Sequence, residues 1–280
     1  MKKKKMFKVL FILISVLLAG LALYFNYYNS HKMKNSVFSW YEDYSSDSGF
    51  TEKSVKLCKK YNIDTVYQYV QKEHLSDSAF TAYVQALDKE NIQTVLIYDE
   101  PEYSSEAYQG YLTALKNSDA GKTVTGVIVD IEPFSQGAEA NTATLGQYVS
   151  NMEAYAKLTQ AQGLKFMVAI PAWYDTVSET LTAQLIDAAD RTVLMNYKRT
   201  DFLEPVKFEV DTAVKAGREI EDAVELQPVD SAQGITGDMT YAEVGIKDAV
   251  SDLAQLHSTY SSIRGCFHHI RYLYTMTYGE

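Results

Sequence analysis

Short runs of apolar and β-branched residues alternate along this chain with longer stretches in which apolar positions recur at helical spacing. The runs are Val37–Tyr41, Asp64–Val70, Gln93–Tyr98, Val124–Ile131, Lys165–Pro171, Thr192–Tyr197, Ala223–Gln227 and Gly265–Ile270. Runs of this length bounded by turn residues read as strands. Their starts lie 27, 29, 31, 41, 27, 31 and 42 residues apart, the spacing of repeated strand–helix units on a parallel sheet. Helices are predicted over Thr51–Tyr61, Ser76–Glu90, Ser104–Asn117, Thr144–Gln162, Thr176–Ala189, Val206–Ala216 and Tyr241–Tyr260. The capping-box pattern Thr240-Tyr241-Ala242-Glu243 sets the start of the last helix, and Gly163 suits a helix end. No G-x-G-x-x-G follows the first strand, and neither a P-loop nor G-x-S-x-G occurs, so an open nucleotide-binding sheet is disfavoured. The expectation is an α/β (β/α)8 TIM barrel. With only Arg271 to Glu280 left after the eighth run, its final helix is abbreviated.

The segment ahead of these units is different in kind. Lys2, Lys3, Lys4, Lys5 and Lys8 precede an apolar run from Val9 to Phe25. Residues 1–8 read as a cytoplasmic basic region, 9–25 as a signal-anchor or signal peptide, 26–35 as a stalk and 36–280 as the barrel domain. Lysines stay on the cytoplasmic side, so the expectation is a single-pass membrane protein with its domain outside the cell. Secretion after cleavage near Ala22 is the alternative. Removing the five N-terminal lysines from 26 basic residues leaves 21 against 36 acids, a balance that argues against nucleic acid as a partner. Cys58 and Cys266 lie far apart in sequence; a disulfide is conceivable if the ring closes, and two buried thiols are the alternative. No metal-ligand spacing is present, and no cofactor is implied.

The chemistry concentrates in Val124–Pro133. On a strand Gly126, Ile128, Asp130 and Glu132 share one face, and Pro133 ends the pairing. Two neighbouring carboxylates raise the pKa of one of them, which is what a general acid requires. The carboxyl ends of barrel strands ring one mouth. They gather Trp40 and Glu42, Gln68, Tyr98 and Asp99, Asp130 and Glu132, Trp173, Asn196 and Tyr197, Glu225 and Gln227, and His268 and His269. Rings to stack on and polar groups for hydroxyls suit a saccharide. The 22 tyrosines fit that lining, each having an apolar body and a polar tip.

Val129-Asp130-Ile131-Glu132 at the fourth strand resembles the D-x-E ending of chitinase-like family 18 glycoside hydrolases. Met195-Asn196-Tyr197 is similar to that family's M-x-Y, whose tyrosine lies beside the acid. Ile128 stands where the family has a further aspartate, and the eighth strand lacks its tryptophan. Glu132-Pro133 and Glu225 also resemble the strand-four acid/base and strand-seven nucleophile of retaining barrel glycosidases. The segments from Thr240 to Gly245 and Gly265 to His269 resemble glycosidase-like barrels of bacterial surfaces. These resemblances imply a glycoside hydrolase acting on a cell-surface or extracellular polysaccharide. Glu132 would be the general acid, Asp130 and Tyr197 its partners and Glu225 the nucleophile. Trp40 and Trp173 would be sugar platforms. Glu42, Gln68, Tyr98, Asp99, Asn196, Gln227 and His269 would bind the substrate. The alternatives are a non-catalytic glycan-binding barrel and a membrane-anchored scaffold. A polysaccharide deacetylase would want an H-x-x-x-H, which the chain lacks.

Overall fold

A computed structural model describes residues 33–100, 103–134 and 140–279. The basic region, the apolar segment and most of the stalk lie outside these residues. Among the described residues no helix is long and apolar enough to cross a membrane. The compact unit runs from Lys34 to Glu280.

Eight strands, each followed by a helix, make up this unit. They run β1 Asn35–Ser39, α1 Phe50–Lys60, β2 Ile63–Tyr69, α2 Ser78–Lys89, β3 Gln93–Tyr98, α3 Ser105–Asn117, β4 Gly126–Val129, α4 Thr142–Gln160, β5 Lys165–Pro171, α5 Tyr174–Ala188, β6 Arg191–Met195, α6 Lys207–Ala216, β7 Glu219–Glu225, α7 Ile246–Thr259, β8 Ile263–His268 and α8 Ile270–Tyr278. Every strand pairs in parallel with the next, and β8 pairs with β1, closing the ring. Side chains alternate between faces along each strand, so one set fills the barrel and the other packs under the helices. Phe38, Tyr67, Ile97, Ile128, Val193 and Ala223 are among the side chains of the inner set. Two residues further along the same faces come Trp40, Tyr69, Asp99, Asp130 and Glu225, so the interior packing aims them at the mouth.

The opposite end of the barrel is closed by charge. Glu221, fully buried, accepts from Tyr67 at 2.8 Å and from Ser36, and lies 3.1 Å from Arg191 Nη1 and 2.8 Å from Arg264 Nε. Arg191 also reaches Glu219 at 2.6 Å, and Arg264 pairs with Asp64. These pairings explain where the sequence reading of the seventh strand slips. The strand starts at Glu219 rather than Ala223, because Arg191 meets Glu219 at its edge and the buried Glu221 lies between Arg191 and Arg264. The eighth strand ends at His268 rather than Ile270, which leaves room for a nine-residue helix of about two and a half turns.

The capping-box expectation at Thr240 is also corrected. Thr240 Oγ1 accepts from Ala242 N–H at 3.1 Å and donates to Gln227 O at 2.5 Å. Gly245 then takes φ +109° and α7 begins at Ile246. The threonine therefore shapes a turn over the mouth instead of starting a helix. Cys58 and Cys266 are both buried free thiols.

Gly126 keeps β4 against β5. A Cβ there would lie 2.6 Å from Lys165 O, closer than packing tolerates. Gly126→Ala is expected to lower stability by about 1–3 kcal/mol, read as a drop in the urea midpoint.

Candidate active site

β4 ends at Val129, and Asp130 follows with its N–H donating to Tyr98 O at 3.0 Å. This bond carries the strand direction one residue further and holds Asp130 over Ile128. Burial pushes the Asp130 carboxyl up to about 7, and the carboxylates of Glu132 and Asp99 add to the rise, while His268 opposes it. Glu132 stands at the exposed edge of the opening. The surrounding rim still withholds enough water to raise its carboxyl, again against the pull of His268. Burial, reinforced by Glu225 and Asp130, drives the Tyr197 phenol far above its usual value, so it stays a proton donor. Asp130, Glu132, Tyr197, Glu225 and His268 thus gather one group from each of the β6, β7 and β8 ends, and two from the β4 end, around a single opening.

A hydrogen-bond chain lines the far side of that opening. Trp40 Nε1 donates to His268 Nε2 at 2.8 Å, and His268 Nδ1 lies 2.8 Å from Glu225 Oε2. An indole nitrogen can only donate. His268 Nε2 is therefore the acceptor, and Nδ1 is the ring nitrogen turned to Glu225. The second oxygen of Glu225 accepts from the Gln227 backbone N–H at 2.7 Å, and the residue is 1% exposed. The Tyr197 ring lies 5.5 Å from that of His268, and Trp40 stacks on Phe38 at 5.7 Å. Beyond Glu132 a cleft of about 280 Å³ is bounded by Trp173, Met195, Tyr197 and Lys198. Trp173 is 41% exposed and packs against Phe134 at 5.6 Å.

The other residues expected at the mouth divide. Asp99 stands exposed on the rim beside Asp130. Glu42 is held by the Gln71 N–H at 2.8 Å and by His74 at 2.5 Å, which turns it away from the acids. Four of the expected binding side chains are taken up by hydrogen bonds or packing within the fold, although Asn196 still borders the cleft beyond Glu132. Gln68 is buried, its amide donating to the carbonyls of Ser39, Tyr41 and Tyr69. Tyr98 packs outward against Tyr108 and Tyr111, at 4.8 and 5.3 Å. Asn196 is buried with its amide on Phe202 O at 2.8 Å. His269 is 3% exposed and caps α8 by accepting from Arg271 N–H at 3.2 Å, and burial pushes its ring down to about 3. Gln227 stays on the rim with its side chain on Gln233 at 2.6 Å, and its contribution to the opening is the backbone N–H on Glu225. Of the two histidines expected at the mouth, the one that reaches the opening is His268 rather than His269. Cys266 points into the barrel, and counting by two from it selects His268 over His269.

Asp130 also ties the opening to stability. Its folded pKa of about 7 lies above its unfolded value, so the native state binds the extra proton between these values. Its contribution is then full below the unfolded pKa and is lost as pH rises toward 7. Asp130→Asn is expected to flatten the decline in stability between about pH 4 and 7, as seen in denaturation midpoints across that range.

No family model matches the chain, and no curated protein matches it. Solved structures do. The glycoside hydrolase domain of PgaB (BpsB) from Bordetella bronchiseptica superposes with a TM-score of 0.56 at 8% identity, over 87% of this chain and 95% of that one. The GH99 endo-alpha-mannosidase from Bacteriodes thetaiotaomicron gives 0.55 at 8% identity, over 82% of each chain. The catalytic domain of beta-amylase from Paenibacillus polymyxa gives 0.54 at 8% identity, over 85% and 92%. Identity this low carries the architecture and no activity: the chain folds as a TIM barrel, an architecture it shares with these glycoside hydrolases.

Proposed function

We propose that the domain is a glycoside hydrolase acting on a polysaccharide outside the cell, with Glu132 as the general acid that protonates the leaving glycosidic oxygen. The observation that carries this reading is the Asp130–Glu132 pair at the mouth. One carboxyl is half-buried and pushed up to about 7, and the other is raised and stands at the exposed edge. Carboxyls raised in this way can hold a proton toward neutral pH, and Glu132 is the member that stands at the exposed edge. Tyr197, kept protonated, donates to charge that develops beside the pair. Trp173 offers an apolar face for a sugar ring.

The strand-seven carboxylate takes a different part from the one its resemblance implies. Glu225 is buried and both of its oxygens accept N–H bonds, so it has no free face for a sugar carbon. In this reading it is a positioning residue for His268. Attack on the anomeric carbon is left to water or to a group on the sugar itself.

The enclosed Glu225 also favours one rival, a barrel that binds glycan without cleaving it. Mass spectrometry of purified surface polysaccharides incubated with the protein separates the two. Hydrolysis releases new oligosaccharides with fresh reducing ends. Retention of a polysaccharide on the protein with no release over long incubation selects the binding module. The location outside the cell rests on the lysine-led apolar segment, Val9 to Phe25. Protease added to intact cells is then expected to degrade the barrel, and full protection until lysis would reverse the assignment.

A further inference from the structure

A second cleft opens on the other side of the acid pair. It holds about 360 Å³ and runs between the segments that follow β2 and β3, lined by Tyr69, Lys72, Glu73, Asp99, Glu100 and Tyr111. The cleft that contains Glu132 and Trp173 follows β5 and β6. In the ring order β4 stands between β3 and β5, so Asp130 and Glu132 sit between the two clefts. Glu132 lines the Trp173 side, and Asp99, just past the end of β3, lines the other. Both clefts combine aromatic rings with hydrogen-bonding groups, the lining that sugar rings require.

We infer that the Tyr69–Asp99 cleft is a second saccharide subsite, so that the chain being cut lies across the mouth with sugar units on both sides of Glu132 and is cleaved at internal linkages. This rests on the hydrolase reading and specifies it. Glu73, Asp99 and Glu100 face a single lysine among the lining residues, Lys72, and like charges repel across such short distances. The units held there are consequently neutral or amine-bearing sugars and carry no carboxylate.

Ala107 lines the same cleft from α3, is exposed, and lies outside the acid pair and its hydrogen-bond chain. Ala107→Trp fills the cleft without touching the mouth. Three readouts are taken on the whole protein. The first is the size distribution of a neutral polysaccharide during digestion. The polymer is expected to shorten well before much terminal sugar appears, and removal of end units from a polymer of otherwise unchanged length overturns the inference while leaving the hydrolase standing. The second compares wild type with Ala107→Trp on that polymer and on a short aryl glycoside. The variant is expected to lose about tenfold or more on the polymer, roughly the value of one well-filled contact, and nothing on the aryl glycoside; equal polymer rates overturn the inference. The third is affinity, in a Glu132→Gln background, for cello-, chito- and malto-oligosaccharides from disaccharide to octasaccharide. Affinity is expected to climb with length and to level off earlier when Ala107 is tryptophan; a length dependence identical in the two proteins overturns the subsite even if no hydrolysis is ever seen. Absence of both release and binding removes the hydrolase reading, and the subsite with it.

Discussion

If the domain is the proposed hydrolase, Glu132→Gln is expected to lower its turnover by about 10²–10⁴-fold, the usual worth of a positioned general acid, while the denaturation midpoint barely moves. The amide keeps the size and the hydrogen-bonding ends of the carboxyl but has no proton to give to a leaving oxygen. Stability is spared because the residue is exposed at the rim and fills no space in the packed interior. Asp130→Asn separates the two acids further. That substitution removes the carboxyl pushed up to about 7, so a limb of the kcat/KM profile near that pH is expected to disappear if Asp130 takes part in the proton transfer. Full activity in Glu132→Gln, measured on the same polysaccharide, removes Glu132 from the chemistry.

The largest effect on folding comes from the other end of the barrel. Glu221→Ala is expected to destabilise the domain by about 3–5 kcal/mol, the range for stripping one partner from a buried ion pair. Arg191 is 3% exposed, and it and Arg264 both converge on this carboxylate. Removing it strands guanidinium charge in an interior that also loses the acceptor for Tyr67 and Ser36. A loss of that size is a large part of the total stability of a domain, so urea midpoints and the yield of folded protein should both fall. The control is a paired replacement, Glu221→Met with Arg191→Met. Taking out both charges together should cost less than Glu221→Ala alone, since apolar groups of similar volume can replace a buried pair. A small effect of Glu221→Ala would mean that solvent reaches the cluster.

How far the sequence could be read follows from what each segment asks of its neighbours. β3 and β5 begin and end where their apolar runs do, because nothing in them competes with strand pairing. The start of β7 was hidden by Glu219, Glu221 and Asp222. Acids look solvated in a linear reading, and only the pairing of β7 with β6 and β8 brings Arg191 to Glu219 and Glu221 and Arg264 to Glu221. Asp130 and Glu132 were legible as a pair because their spacing and the proline after them are local facts. The chain from Trp40 through His268 to Glu225 was not, since it joins β1, β8 and β7. Gln68 was assigned to the mouth by position along the strand, and alternation turned it to the outer face, while Tyr98 and Asn196 border the two clefts although most of each side chain is buried. The choice between His268 and His269 needed the phase of a strand whose end was misplaced by two residues.

The Trp40–His268 bond spans 228 residues of sequence and crosses the seam where the first strand meets the eighth. An open, horseshoe-like folding intermediate can bury much of its apolar surface, yet it cannot form this bond or orient Glu225. Contacts between such distant parts of a chain form late and slowly. Recovery of activity during refolding should therefore track the last cooperative step and lag behind the return of secondary structure, and tryptophan emission from Trp40 should report the moment the seam shuts.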